Sequence, residues 1–272
     1  MTGTGAARRL LWSDEFDRPA GARPDRRWWA FELGDGSAYG IPGWGNEELQ
    51  EYTDAPANAA HDGRSNLVLT ARRTPGGYSS ARLVSKGRME VCLGRIEVRA
   101  RLPRGAGLWP AVWMLGADID EHPWPACGEI DVLEHVGREP RRAFGTIHGP
   151  GYAGASGYSG AVCADEDLAD GFHVFAVEWA ERSLDWSLDG RVYHSASPET
   201  APGPWVFDHR FYLLVNLAVG GVLGGPVPTA TVFPQQLVID YLRVYAPADE
   251  QRGLGPELTT PAGERRPRSS LQ

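Results

Sequence analysis

From about residue 65 to residue 245 the chain is written in short runs of alternating apolar and polar residues, and no stretch holds a helical period for three turns. A period of two sends successive side chains to opposite faces, so such runs read as strands. They fall at 66–73, 79–85, 89–93, 95–102, 109–115, 129–136, 143–148, 172–179, 184–188, 191–195, 211–218 and 237–245, after a first run over 10–16. Asp189-Gly190, between two of these runs, is a strong hairpin signal. Gly94, inside a longer strand pattern, reads as a bulge or a close backbone approach. About a dozen short strands joined by turns predict an all-β sandwich or jelly roll. Residues 17–63, rich in Gly, Pro, Trp and Asn, read as long ordered loops with short strands, the kind of segment that carries binding groups. After Pro247 apolar residues become sparse and no period remains, so 1–247 is read as one domain and 248–272 as a disordered tail.

Composition narrows the partners. A hydrophobic fraction of 42% and a charged fraction of 23% allow an ordinary core, and ten Trp leave aromatic surface beyond what a core needs. The formal charge of −8 argues against a nucleic-acid backbone and is compatible with a neutral ligand such as a sugar polymer. Cys92, Cys127 and Cys163 form no disulfide framework and have no zinc-ligand spacing. Met1 to Arg9 lack the apolar run of a signal peptide, and no run reaches the length of a membrane span. The expectation is a monomer with no membrane partner.

The stretch Glu129-Ile130-Asp131-Val132-Leu133-Glu134 places three carboxylates in an apolar strand. Burying them disfavours their charged forms and sets like charges against one another, so their presence needs a reason. Glu129 and Asp131 share a face by alternation, whereas strict alternation sends Glu134 to the other. One extra residue near Val132-Leu133, a β-bulge, returns it to the face of the first two. Four strand steps then span roughly 13 Å. Two glutamate side chains of roughly 4 Å each, leaning together, bring their carboxyl groups to about 5 Å. That separation suits a retaining glycosidase, in which one acid attacks the sugar and the other protonates the leaving oxygen. A solvated acidic strand face is the competing reading.

With the surrounding segments the sequence resembles glycoside hydrolase family sixteen, in particular its laminarinase group of endo-β-1,3-glucanases. The resemblance runs from about Leu10 to Tyr245. It rests on the acid motif and on Gly43-Trp-Gly-Asn46-Glu-Glu-Leu-Gln-Glu-Tyr52, Ser80-Ala-Arg82-Leu83, Gly107-Leu-Trp109-Pro-Ala-Val-Trp113, Gly145-Thr-Ile-His148 and Asn216-Leu-Ala-Val-Gly-Gly221. It implies a β-jelly-roll sandwich of two curved antiparallel sheets with a concave cleft, and a β-glucan polysaccharide as substrate. It implies Glu129 as nucleophile, Glu134 as acid/base and Asp131 as the residue that sets their protonation. The alternatives on this fold are a mixed-linkage β-1,3-1,4-glucanase, another β-glycan hydrolase or transglycosylase, and a non-catalytic glucan-binding module. The family also implies secretion, although no export signal is visible in this chain.

Trp109 and Trp113 share a strand face with only Ala111 between them, which suits either the sheet-to-sheet core or a flat sugar platform. The resemblance favours the platform. It also places His148 beside the acids and assigns Asn46 and Arg82 to sugar hydroxyls; Arg82 by itself reads equally as an outward charge, and Trp124, approaching the catalytic strand, reads either as lining the leaving-group side or as simple loop packing. No cofactor is expected for catalysis. Asp240 stands in a strongly apolar strand, where an unpaired acid is improbable. The family offers a structural calcium there, held by Asp240 with backbone oxygens near Glu15 and Gly63, against a simple salt bridge to an arginine. Two departures stand out: Val222-Leu223-Gly224-Gly225 lacks the Trp that the laminarinase group carries after Gly221, and Leu93 occupies a position where an aromatic is common.

Overall fold

The computed structural model describes residues 8–247 and 257–259. Two antiparallel-rich sheets lie face to face. One, of ten strands, runs in the order Arg191–Ala196, Ser183–Leu188, His173–Ala180, Gly94–Arg101, Gln235–Tyr245, Leu67–Thr74, Gly77–Ser80 and Gln50–Tyr52, with Leu10–Asp14 and Ala59–His61 paired at its side. The other, of nine, runs Tyr158–Cys163, Arg142–His148, Glu129–His135, Leu108–Gly116, Phe211–Val219, Arg82–Val84 and Ala30–Phe31, with Glu90–Cys92 and Glu257–Thr259 off this path. This is the all-β jelly-roll sandwich that the strand pattern and the resemblance predict.

The expected runs match these strands within a residue or two, with one exception. The run 79–85 is two strands, Gly77–Ser80 in the first sheet and Arg82–Val84 in the second. The chain changes sheets at the fully buried Ala81, which alternation alone cannot reveal. Tyr158–Cys163 is an added strand, hidden in sequence by Gly160 and small polar neighbours. Gly94 is a close approach: at its φ of +116° an added Cβ would lie 2.3 Å from the Tyr245 carbonyl oxygen. Residues 257–259 of the expected tail form a short strand against Glu90–Cys92, and the rest of that expectation lies outside the described residues. No disulfide joins Cys92, Cys127 and Cys163, and among the described residues no helix is long and apolar enough to cross a membrane.

The inner faces meet in one large core that includes Leu69, Val98, Phe175 and Trp186 from the first sheet and Val112, Met114, Ile130 and Val215 from the second. Alternation along the nine-stranded sheet therefore turns Trp109, Ala111, Trp113, Glu129, Asp131, Thr146, His148 and Asn216 to its outer face. A smaller apolar cluster of Val84, Leu115, Cys127, Tyr212 and Leu214, with Trp113 packed against it, floors part of that face.

Candidate active site

The acid strand Glu129–His135 carries the bulge that its spacing predicts. Against Leu108–Gly116, Asp131 pairs with Trp113 and Leu133 with Val112, which leaves Val132 as the extra residue. Against Arg142–His148 the register slips over the same interval, from Asp131–Thr146 to Glu134–Phe144. Val132 and Leu133 both stay buried while Glu134 returns to the face of Glu129 and Asp131.

The bulge is pinned from the opposite sheet. The fully buried Trp186 indole donates to the Asp131 carbonyl at 2.7 Å, satisfying a group beside the shifted ladder. Its ring packs on Gly145, where an added Cβ would lie 2.2 Å from Cδ1, and stacks on His194 with centroids 5.0 Å apart. Nothing in the sequence assigned Trp186 this place; its only signal was one more Trp on an apolar strand.

Each glutamate receives an indole N–H. Trp124 donates to Glu129 Oε2 at 2.5 Å, and Trp109 donates to Glu134 Oε1 at 3.1 Å. The Thr146 hydroxyl donates to Glu134 Oε2 at 3.3 Å. Thr146 was legible only as a same-face neighbour of His148. The His148 imidazole Nε2 lies 3.3 Å from Asp131 Oδ2 and 3.9 Å from Glu129 Oε1, so the histidine joins the acids as expected.

Burial dominates the protonation of this group. It raises Asp131 well above the ordinary carboxylate range, helped by the Glu134 charge. Burial and then the Asp131 charge push Glu129 up to about 8, against the pull of His148 and the Trp124 N–H. The Glu129 side chain keeps 16% of its surface open, so water moderates that rise. Burial also raises Glu134, while His148, Trp109 and Thr146 pull it down. Three such neighbours cannot all ionise at neutral pH, and Asp131, 2% exposed, is the best holder of a shared proton.

Trp109 and Trp113 are both partly exposed on the outer face, with Ala111 between them, so they form a platform and do not fill the core between the sheets. Trp113 donates to Asn216 Oδ1 at 2.8 Å, Asn216 donates to the Tyr52 hydroxyl at 3.0 Å, and Tyr52 donates to Glu48 Oε2 at 2.9 Å. Gln50 also donates to Glu48 Oε2, at 2.6 Å. Glu48, Gln50, Tyr52 and Asn216 lie in segments that carried the resemblance, yet without the fold no single role could be given to them. Asn46 adds a side-chain hydrogen bond to Glu48, and its carbonyl accepts from Val222 N at 2.8 Å.

Arg82 is not the outward charge that its strand position also allowed. It is 7% exposed, bonded through Nε to Glu32 at 2.5 Å, with its guanidinium 4.4 Å from the Trp44 ring centre and 4.9 Å from that of Trp113. It backs the Trp113 side of the platform. Trp124, 44% exposed, covers Glu129 and lies against His148 with ring centroids 6.2 Å apart. The segment after Gly221 is one helical turn, Gly221–Gly224, beside Trp109, with Val222 exposed.

The residues expected around calcium meet arginines. Asp240 bonds Arg99 at 2.5 Å, and Glu15 takes a two-pronged contact from Arg243 at 2.9 and 2.7 Å. Gly63 sits at φ +76°, its Cα side close against Ala20. Arginines thus meet both carboxylates, the salt-bridge arrangement, while the calcium expectation draws on Asp240 together with backbone oxygens near Glu15 and Gly63.

Comparison with known proteins agrees with this geometry. The sequence profile of glycosyl hydrolases family 16 matches residues 46–227. A beta-glucanase of Rhodothermus marinus is 40% identical over 250 residues, covering 87% of this chain and 84% of the relative. Among solved structures, the laminarinase catalytic domain of Thermotoga maritima superposes with a TM-score of 0.83 at 44% identity, covering 88% of this chain and 98% of that one. The endo-beta-1,3-glucanase of Pyrococcus furiosus gives 0.82 at 43% identity, covering 88% and 94%. The chain belongs to family 16 of the glycosyl hydrolases.

Proposed function

We propose that this protein is a retaining endo-β-1,3-glucanase acting on laminarin-like polymers by double displacement. The observation that carries the reading is the bulged strand: it gathers Glu129, Asp131 and Glu134 on one open face, beside a two-indole platform. In the first step Glu129 attacks the anomeric carbon through Oε1, since Oε2 is held by Trp124. Glu134 gives its proton to the departing glycosidic oxygen. Burial keeps that proton available beforehand, and the Trp109 and Thr146 donors stabilise the carboxylate left afterwards. In the second step the Glu134 carboxylate takes a proton from water, which attacks the glycosyl–Glu129 ester. Asp131, when it holds the shared proton, no longer adds its charge to the burial that raises Glu129, and so eases ionisation of the nucleophile.

The test is release of reducing ends from laminarin, mixed-linkage β-glucan, agar and xyloglucan by wild type and Glu129→Ala. Laminarin hydrolysis that survives Glu129→Ala unchanged would overturn the assignment. NMR of fresh product should show the β anomer first; α first would exclude retention.

A further inference from the structure

Inside the acid group a buried carboxylate oxygen faces an imidazole nitrogen without bonding to it. Asp131 Oδ2 has no hydrogen-bond partner among the described residues, although Asp131 is 2% exposed. It lies 3.3 Å from His148 Nε2, and the pair is not aligned as a hydrogen bond. Glu129 Oε1 stands 3.9 Å from the same nitrogen, its other oxygen being taken by the Trp124 indole. One ligand atom from each of Glu129, Asp131 and His148 lies within 4.8 Å of the other two.

These distances approach the edges of a small coordination polyhedron. Zinc bonds to imidazole nitrogen and carboxylate oxygen of about 2.0–2.2 Å place tetrahedral ligand atoms about 3.4 Å apart. The Asp131–His148 separation of 3.3 Å is already such an edge, and Glu129 Oε1, 3.9 Å from His148 Nε2 and within 4.8 Å of the Asp131 ligand oxygen, completes the set by moving inward by about 1–1.5 Å. We propose that Glu129, Asp131 and His148 form a three-ligand site for a divalent transition metal, with the remaining position facing the cleft. One imidazole and two carboxylates in so tight a set suit zinc or cobalt; calcium takes six to eight oxygens, which this set does not offer. A dication there also offsets the mutual repulsion of the acids. Metal binding itself follows from the geometry alone. A further consequence rests on the glucanase reading: the ion occupies Glu129 Oε1, the atom that attacks the sugar, so metal and substrate exclude one another.

Zinc chloride titrated calorimetrically into the chelator-treated full chain should bind at one site. Asp131→Asn and His148→Gln should each weaken that binding at least tenfold, with folding checked by circular dichroism and melting. His122→Ala and Cys163→Ser, at exposed metal-philic side chains elsewhere, should keep the wild-type affinity. Cobalt(II) should give a visible d–d band that the two site variants lose. No binding by wild type, unchanged binding in both site variants, or loss in the His122 or Cys163 variant would overturn the site. On laminarin, zinc at ten times its dissociation constant should raise the apparent KM about elevenfold with kcat unchanged. Zinc that binds as described yet leaves KM unmoved would overturn the exclusion of substrate. An enzyme inactive on laminarin without zinc would count against the glucanase reading alone.

Discussion

Replacing Glu129 by Gln should stabilise the protein at alkaline pH and leave it nearly unchanged at acid pH. Burial and the Asp131 charge raise this carboxyl from an ordinary 4.5 to about 8. Between those values the folded state keeps a proton that the unfolded chain releases, so the folded state binds more protons. Unfolding free energy therefore falls as pH rises through that window. The full stability is present below about 4.5 and the loss is complete above about 8. At about 1.36 kcal/mol per pH unit the ceiling is about 5 kcal/mol. The open edge of Glu129 and the sharing of protons with Asp131 and Glu134 reduce it to about 2–3 kcal/mol. The Glu129→Gln substitution removes this titration, while the new amide carbonyl still accepts the Trp124 N–H. At about 2 °C per kcal/mol for a chain of this size, the variant should melt about 4–6 °C above wild type at pH 8.5. At pH 4.5 the two should coincide. Scanning calorimetry across pH 4–9 reads the difference directly, because the remaining ionisable groups are common to both proteins. A constant offset at every pH, or no offset at pH 8.5, would refute the account of the acid group.

Three further outcomes follow from the same geometry. Trp186→Phe strands the Asp131 carbonyl, so stability should fall by about 1–3 kcal/mol; kcat should drop about tenfold or more with KM nearly constant, and an unchanged kcat in a folded variant would deny that Trp186 positions the acids. Trp113→Ala removes the platform ring and uncovers Arg82, so KM for β-1,3-oligosaccharides should rise about tenfold with kcat within about twofold, measured by oligosaccharide hydrolysis. Chelation should leave the melting temperature unmoved, since Arg99 and Arg243 already neutralise Asp240 and Glu15; a fall of several degrees, reversed by calcium, would restore the metal at that edge.

The acids were legible because a period-two strand cannot hide them: Glu129 and Asp131 share a face by arithmetic, and Glu134 joins them once a bulge is allowed. What fixes the bulge was not legible. Trp186 sits 55 residues from Asp131 in sequence and in the other sheet, and an apolar strand in isolation does not say across which gap its indole reaches. The surroundings of Arg82 were not legible for a related reason. Its environment is set by Trp44, Glu32 and Trp113, three segments brought together only when the chain changes sheets at Ala81. Asp240 shows the opposite case: an acid in an apolar strand demanded a partner, and sequence correctly left that partner open between metal and arginine.

The architecture divides the work by face. Along Glu129–His135, Ile130, Val132 and Leu133 enter the core while the three acids leave it, so the bulge that realigns Glu134 also inserts one extra apolar anchor. That anchoring explains how like charges are held in near contact: the repulsion acts on side chains whose backbone is tied down by core packing and by Trp186. Substrate choice rests on other segments. The Trp113–Asn216–Tyr52–Glu48 chain and the Gly221–Gly224 turn come from elements outside the acid strand, and that turn carries Val222 and Leu223 in place of an indole. Changes there can alter which glucan fits one end of the cleft without disturbing the bulge. Placing an indole there by Leu223→Trp should change KM among β-glucans while kcat on short substrates that do not reach the turn stays the same. A parallel loss of kcat on those short substrates would mean that platform and acids are not separable.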